Sequence, residues 1–448
     1  MDCLVRRTDE LTAKELARWS ELQQQDPTRA SPFFRPEFAQ LAGRQFESSR
    51  VAVWHDDGEP VAFFPFQTDG ARHGAPIGDV YCDFQGLVAA RGFELTDDDL
   101  VADCDLRSFR FHHFVEDSPL FRGHDFRTWE SPYIDLEGGF EIYRDERKRA
   151  GSGALAYAAQ RQRKLEREVG PVRVELNCTE ESVFRRLIEW KSDQYVARGA
   201  PNYVAAPEAR RFLESVWREG LARRFSDYDV TTQPSDSRLG AGRSHEQQSQ
   251  VQRSYEQRTD RRLFDGPLAA LYAGSTLVAV HLGLRSGRVL HYWFPAYNTE
   301  FATYSPGMLL LVRLLETAQS EGIARVDLGR GDEAYKLRLM NGVATVREGA
   351  YDTGVVRSTL RRGWYATRRM ISASPLGNPA RTLVRGMRRW WHQLRDSGRA
   401  GRVGSTAERA TVERTAVERT IAAAAIAESS PAAALPLSER TAGHVATR

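Results

Sequence analysis

The chain has little cysteine and little lysine, and it lacks any long apolar run. Its four cysteines, Cys3, Cys82, Cys104 and Cys178, are scattered over 448 residues with no C-x-x-C and no His-rich segment beside them. That spacing argues against a disulfide scaffold or a thiolate metal site and reads as a reduced, intracellular protein. No stretch approaches the roughly 20 apolar residues that a membrane-spanning helix needs. The start, MDCLVRRTDELTAKE, turns polar and acidic before any apolar run, unlike a secretory signal. A cytoplasmic protein is the expectation. Of 63 basic residues only Lys14, Lys148, Lys164, Lys191 and Lys336 are lysines. The bias toward arginine runs through the whole chain, so the arginines are not read as selected for phosphate. A formal net charge of +3 does not by itself argue for nucleic acid.

What is present is ordinary for a soluble globular protein, with 41% hydrophobic and 27% charged residues, and the length allows two or three domains. Residues 11–25 predict an amphipathic helix on Leu11, Leu16, Trp19 and Leu22, and 36–43 a second. Strands at 51–54 and 61–66 flank Asp57-Gly58, a hairpin signal. Further strands are expected at 79–88, 107–114 and 133–136, giving a mixed α/β first domain over 1–150. A basic helix at 154–169, a strand at 172–176, and helices at 180–198 and 206–220 follow. Residues 225–262 are almost free of aliphatic side chains and predict a polar surface insertion. The second domain then resumes at Leu268 with three antiparallel strands and ends near 356 with a strand pair. Residues 357–402 hold twelve arginines with interleaved tryptophans, and 403–448 read as a low-complexity tail.

The most informative stretch is 288–336. A strand over 289–294 leads to Ser305 at a helix N-cap position, Pro306 at the first helical position, and an apolar helical face from Met308 to Ala318. Gly322 is placed as its stop, and 323–328 as a short buried strand. A β–α–β unit of this length implies parallel strands, with the helix start at Gly307 a candidate anion site. The chain then enters Asp327-Leu328-Gly329-Arg330-Gly331-Asp332, with Tyr335-Lys336 following.

These residues, with AYNTEFATYSPGMLLL, SPFFRPEF and DFQGLV, resemble the GNAT-type acetyltransferase domain of the CelD family (cellulose biosynthesis, BioF2-like), from about Ser31 to Tyr351. The resemblance implies two tandem GNAT-like halves, an arrangement shared with the Fem aminoacyltransferases, in an α/β fold of mixed, mostly antiparallel sheets. It also implies an acyltransferase using acetyl-CoA or another acyl-CoA, with a saccharide or other amine or hydroxyl acceptor. The usual Gly-rich phosphate loop is replaced here by TYSPGM, in which Pro306 removes one N–H donor.

Acyl transfer needs a polarised carbonyl, a deprotonated nucleophile and both held together. Lys336, Asp332 and His291 are the expected catalytic residues, Lys336 because a compact ammonium can neutralise a phosphate or oxyanion. Glu333 and His281 are weaker candidates, His281 reading first as a core histidine in VAVHLGL. Tyr304, Ser305, Gly307 and Met308 are placed at the acyl-CoA, and Asp83, Gln85, Tyr335 and Lys191 at the acceptor. No metal cluster is visible. The 357–402 block fits either peripheral contact with an anionic membrane or a basic face packed on its own domain. tRNA is a partner only under the alternative, a Fem-like aminoacyl-tRNA-dependent enzyme. A non-catalytic GNAT-like scaffold is the third reading.

Overall fold

The computed structural model describes residues 1–231, 264–331 and 333–354, and the described residues outside 197–201 belong to one compact unit. Asp332, most of the 225–262 insertion, the 357–402 block and the tail therefore lie outside the described residues.

The N-terminal half opens with β1 (Asp2–Arg6), α1 (Ala13–Gln25) and α2 (Pro36–Gln45). Thr12 and Glu15 form a reciprocal capping box that fixes the start of α1, and Trp19 and Leu22 on its inner face are buried. Next come β2 (Ser49–Asp56) and β3 (Glu59–Thr68), joined through Asp57 and Gly58, both at positive φ, as a tight hairpin needs. The half continues with β4 (His73–Pro76), β5 (Val88–Ala89), α3 (Asp97–Asp103) and β6 (Ser108–Val115).

After β7 (Asp125–Asp135) come α4 (Phe140–Arg149), α5 (Ala154–Glu168), β8 (Val172–Glu175), α6 (Glu181–Arg198) and α7 (Pro207–Thr231). The C-terminal half is completed by β9 (Leu268–Ala273), β10 (Thr276–Ser286), β11 (Val289–Tyr297), α8 (Pro306–Thr317), β12 (Arg325–Asp327), α9 (Ala334–Leu339) and β13 (Gly342–Asp352).

The strands form one mixed sheet in the order β1-β2-β3-β4-β6-β13-β7-β12-β11-β10-β9-β8, with β5 paired to β3. The fold is thus the expected α/β tandem of two GNAT-like halves, mostly antiparallel. The halves are knitted by exchange. β7, which lies near the end of the N-terminal half in sequence, pairs with β12, while β13 at the end of the C-terminal half pairs with β6. β7 and β13 also pair with each other from Gly342↔Tyr133 to Gly349↔Asp125.

The core follows the same plan. One aromatic cluster joins Trp19, Phe33, Phe38 and Phe63 to Phe212, Trp217 and Trp293, so the halves share buried surface. A second packs α5 and α8 on β9–β12 through Ala158, Leu165, Leu310, Leu311 and Leu315.

Several expectations need correcting. Residues 79–88 are not a strand. Gly78 and Asp79 take positive φ, a 3-10 turn covers Asp79–Tyr81, and only Gln85 and β5 make ladder contacts. α4 lies where no element was expected, and α7 extends helically to Thr231, past the anticipated start of the insertion at 225. The expected strand pair after 343 is a single 11-residue strand, β13. Gly322, by contrast, closes the helical run as expected: past Thr317 the chain continues in turns, and at Gly322, φ +70°, the Gly322 N–H bonds the Gln319 carbonyl at 3.1 Å and the Ile323 N–H the Ala318 carbonyl at 2.8 Å, as a C′ glycine does.

Candidate active site

The site forms where β11 parts from β12. Their parallel ladder holds for three pairs, Val289↔Arg325, Leu290↔Val326 and His291↔Asp327, after which β11 runs on to Tyr297 paired only with β10. A gap therefore opens just past His291. At its apex β11 has one residue more than β10 between the pairs Leu282↔Phe294 and Leu284↔His291. Such a bulge leaves the extra residue, at Tyr292 or Trp293, out of the ladder and re-aims the chain.

The matching divergence in the N-terminal half, between β4 and β6, is filled by its own chain. The Gln85 N–H donates to the His113 carbonyl and the Val115 N–H to the Gln85 carbonyl, both at 2.9 Å. The segment that fills it carries Asp83 across to the C-terminal half.

There Asp83 Oδ2 lies 2.8 Å from His291 Nε2. The His291 side chain is fully buried, whereas Asp83 keeps 23% of its side chain open to solvent. Phe33 presents its edge to the imidazole at 4.9 Å between ring centres, and Phe84 at 6.1 Å. Burial pushes the Asp83 carboxyl up. The hydrogen bond from His291 outweighs that, with the Lys336 ammonium adding to it, and holds it well below the usual carboxylate range. Ionised Asp83 accepts a hydrogen from His291 Nε2, and the buried Nδ1 on the other side of the ring has no hydrogen-bond partner. The groups therefore divide the work: Asp83 faces solvent and can take a proton, while His291 orients it from behind.

Gly329 lets the next loop lie against this pair. Its φ is +71°, and a Cβ there would stand 3.3 Å from Asp83 Oδ2 and 3.4 Å from His291 Nε2. Lys336, with 8% of its side chain exposed, ties that loop down. Its Nζ donates to the carbonyls of Arg330 at 3.1 Å and Gly329 at 3.4 Å, and pairs with Glu333 at 3.0 Å. The structure thus brings Lys336, His291 and Asp83 around Gly329, while the Gln85 side chain turns to His112 and the Cys82 carbonyl.

The other expected residues lie elsewhere. At the start of α8, Ser305 occupies the N-cap position at φ 55°, but its side chain caps nothing; its Oγ meets Tyr157 Oη at 3.2 Å instead. The Met308 N–H is engaged by the Ser305 carbonyl at 3.0 Å, which withdraws a donor expected to be free, while the Gly307 carbonyl accepts from Tyr292 Oη. Tyr304 Oη donates to Glu168 at 2.9 Å. Lys191 Nζ donates to the Pro295 carbonyl at 3.1 Å, on the part of β11 beyond the parting. Tyr335 packs partly buried against the C-terminal core. His281 is a buried core residue stacked on Tyr292 at 4.1 Å. Burial, then the His291 and Lys191 charges, push its pKa well below the ordinary imidazole value.

Sequence reasoning missed His112, His113, Asp79 and Arg330. Arg330 lies over the Trp129 ring at 4.6 Å and donates to the His112 carbonyl at 3.2 Å. The available signal was the histidine doublet in FHHF, set between Phe111 and Phe114 inside a strand.

Residues 154–232 and 235–337 match the family model of the acetyltransferase (GNAT) domain. No curated protein matches the chain. Among solved structures, the C-terminal domain of a putative lysylphosphatidylglycerol synthetase from Agrobacterium fabrum aligns at TM-score 0.39 and 12% identity, covering 81% of this chain and 98% of that one. A tandem GNAT protein from the clavulanic acid biosynthesis pathway aligns at TM-score 0.41 and 10% identity, covering 79% and 98%. FemX aligns at TM-score 0.42 and 10% identity, covering 81% and 99%.

Proposed function

For a chain that carries a GNAT-type acetyltransferase domain and so is an acyltransferase, we propose that the donor is an acyl-CoA whose thioester enters the gap between β11 and β12, and that Asp83 takes the proton of an amine or hydroxyl acceptor. The observation that carries this reading is the Asp83–His291 pair at the apex of the gap, joined at 2.8 Å across 208 residues of sequence. The bulge at Tyr292–Trp293 offers an unpaired main-chain N–H to the thioester oxygen, a fixed dipole where negative charge develops. Asp83, ionised and partly open, removes the acceptor proton as nitrogen or oxygen attacks the carbonyl carbon. His291 is its positioning residue. Lys336 holds Gly329 and Arg330 against the pair, and its charge favours the ionised carboxylate. The resemblance to CelD-like proteins supports a saccharide or envelope-polysaccharide precursor as acceptor.

One observation favours a second reading. Pro306 lacks an N–H and the Met308 N–H is already engaged, so the start of α8 offers a diphosphate little beyond Gly307. An aminoacyl-tRNA donor of the Fem kind has no diphosphate to place there.

Calorimetric titration with acetyl-CoA separates the two. Binding by the wild type is expected, and Lys336→Met should lower kcat at least about 100-fold while KM for acetyl-CoA changes little. A wild type that binds no acetyl-CoA removes the first reading.

A further inference from the structure

A second cluster of titratable groups adjoins Asp83 and has no part in holding the thioester. It begins with an irregularity in β6. Between the pairs Arg347↔Phe114 and Gly349↔Phe111, β6 supplies two residues, His112 and His113, opposite Glu348 alone. In a regular strand neighbouring side chains point to opposite faces; the bulge turns these two toward each other. Their Nδ1 atoms are 2.6 Å apart.

The surroundings fix the proton on each ring. His112 Nε2 lies 3.2 Å from Asp79 Oδ1. Burial raises the Asp79 pKa, but the Arg110 charge and the bonds from His112 and Arg110 hold it below the usual carboxylate range. His112 Nε2 therefore carries hydrogen toward an ionised carboxylate. The Gln85 amide, whose oxygen accepts the His112 N–H at 3.3 Å, donates its Nε2 to His112 Nδ1 at 3.2 Å, so that nitrogen is bare. His113 Nδ1, in contact with a bare nitrogen, must be the donor. His113 Nε2 is then bare as well, and it faces Asp83 Oδ1 at 3.9 Å. Besides Asp83, the titratable and charged groups facing His113 are Arg330, His112 and His291. Burial first, and then the Arg330 guanidinium, keep it neutral at rest.

Building on the acyl-transfer reading, we propose that His113 and His112 relay the acceptor's proton from Asp83 to Asp79 and solvent. The acceptor N–H or O–H breaks as the new bond to the acyl carbon forms, and its proton arrives on Asp83. It passes to His113 Nε2, while the Nδ1 proton of His113 moves to His112 Nδ1 as the Gln85 amide lets go. The Nε2 proton of His112 leaves to Asp79. One proton enters and one leaves, and Asp83 is again a base. Both rings end in the opposite tautomer and reset by exchange at His112, whose side chain is 18% exposed, as Asp79 is 26% exposed. His113 is a positioning residue in this scheme, acting through Asp83.

The test uses the full chain. Nitrogen-15 NMR of histidine-labelled protein should show His113 protonated at Nδ1 and His112 at Nε2, and the reverse pattern overturns the relay. With acetyl-CoA and a panel of primary amines (amino sugars, amino acids, polyamines), His113→Gln should lower kcat about 10- to 100-fold, leave KM for acetyl-CoA within about twofold, and reduce a multi-proton solvent-isotope inventory to a single proton. Imidazole should restore part of the rate to His113→Ala. If His113→Gln does not fold, His112→Gln carries the same expectation. A kcat within twofold of wild type with an unchanged inventory overturns the relay and leaves acyl transfer standing. A wild type that turns over no acetyl-CoA with any of these amines removes both.

Discussion

Replacing Asp83 by Asn is the most direct probe of the site. The change keeps the shape and an oxygen that can still accept from His291 Nε2, and it removes the charge. Two magnitudes follow. A hydrogen bond to a charged group contributes about 1.5–3 kcal/mol and a neutral one about 0.5–1.5, so the 2.8 Å bond should weaken by about 1 kcal/mol. Against a total stability of about 5–15 kcal/mol the variant remains folded. The catalytic loss should be larger, because an amide cannot accept the acceptor's proton. A general base contributes about 10²- to 10⁴-fold, or about 3–5 kcal/mol of barrier at about 1.4 kcal/mol per decade. The assay pairs kcat at saturating acetyl-CoA with urea unfolding of the same preparation. The expected signature is a small loss of unfolding free energy, an unchanged KM for acetyl-CoA, and kcat lower by at least two decades. A folded Asp83→Asn with kcat within threefold of wild type would refute the assignment of the base.

Other outcomes can be checked alongside. Gly329→Ala meets a φ of +71° and puts a methyl 3.3 Å from Asp83 Oδ2, so it should lose about 1–2 kcal/mol and at least tenfold in kcat. Gly58→Ala, at φ +79° with nothing within 4 Å, should lose similar stability by thermal unfolding and no activity. Asp79 and Asp83 both have pKa values depressed below the ordinary 3.8 in the folded chain. The unfolded chain therefore binds more protons as pH falls through that range. Their contribution is full above about pH 5 and is lost progressively below about pH 4. Urea unfolding at pH 7, 5 and 3.5 should show that decline, and it should be shallower in Asp83→Asn.

The legible parts of this protein were local. The hairpin at Asp57-Gly58, the helix at Trp19, the three strands from Leu268 and the parallel return after α8 each rest on residues close in sequence. The period of their apolar side chains and the turn chemistry between them suffice to place them. The 79–88 segment misled because its aromatic and β-branched residues suit a strand, while the positive φ at Gly78 and Asp79 and packing between β4 and β6 override that preference. α4 escaped notice because its face is mostly charged, with Tyr143 its only fully buried side chain.

By itself, the sequence determined the alternation of strands and helices, the reduced cysteine chemistry, and a lysine just past the Gly-rich motif after β12 that deserved a role. Tertiary structure decided what that lysine does: Lys336 is saturated by two carbonyls and Glu333, and it holds a turn in place. It also decided that Asp83 meets His291, that β7 and β13 trade places between the halves, and that a bulge turns His112 onto His113. The physical reason is common to all three. Strand register and bulges are set by partners far away in sequence, so no local pattern in either partner encodes which side chains will meet.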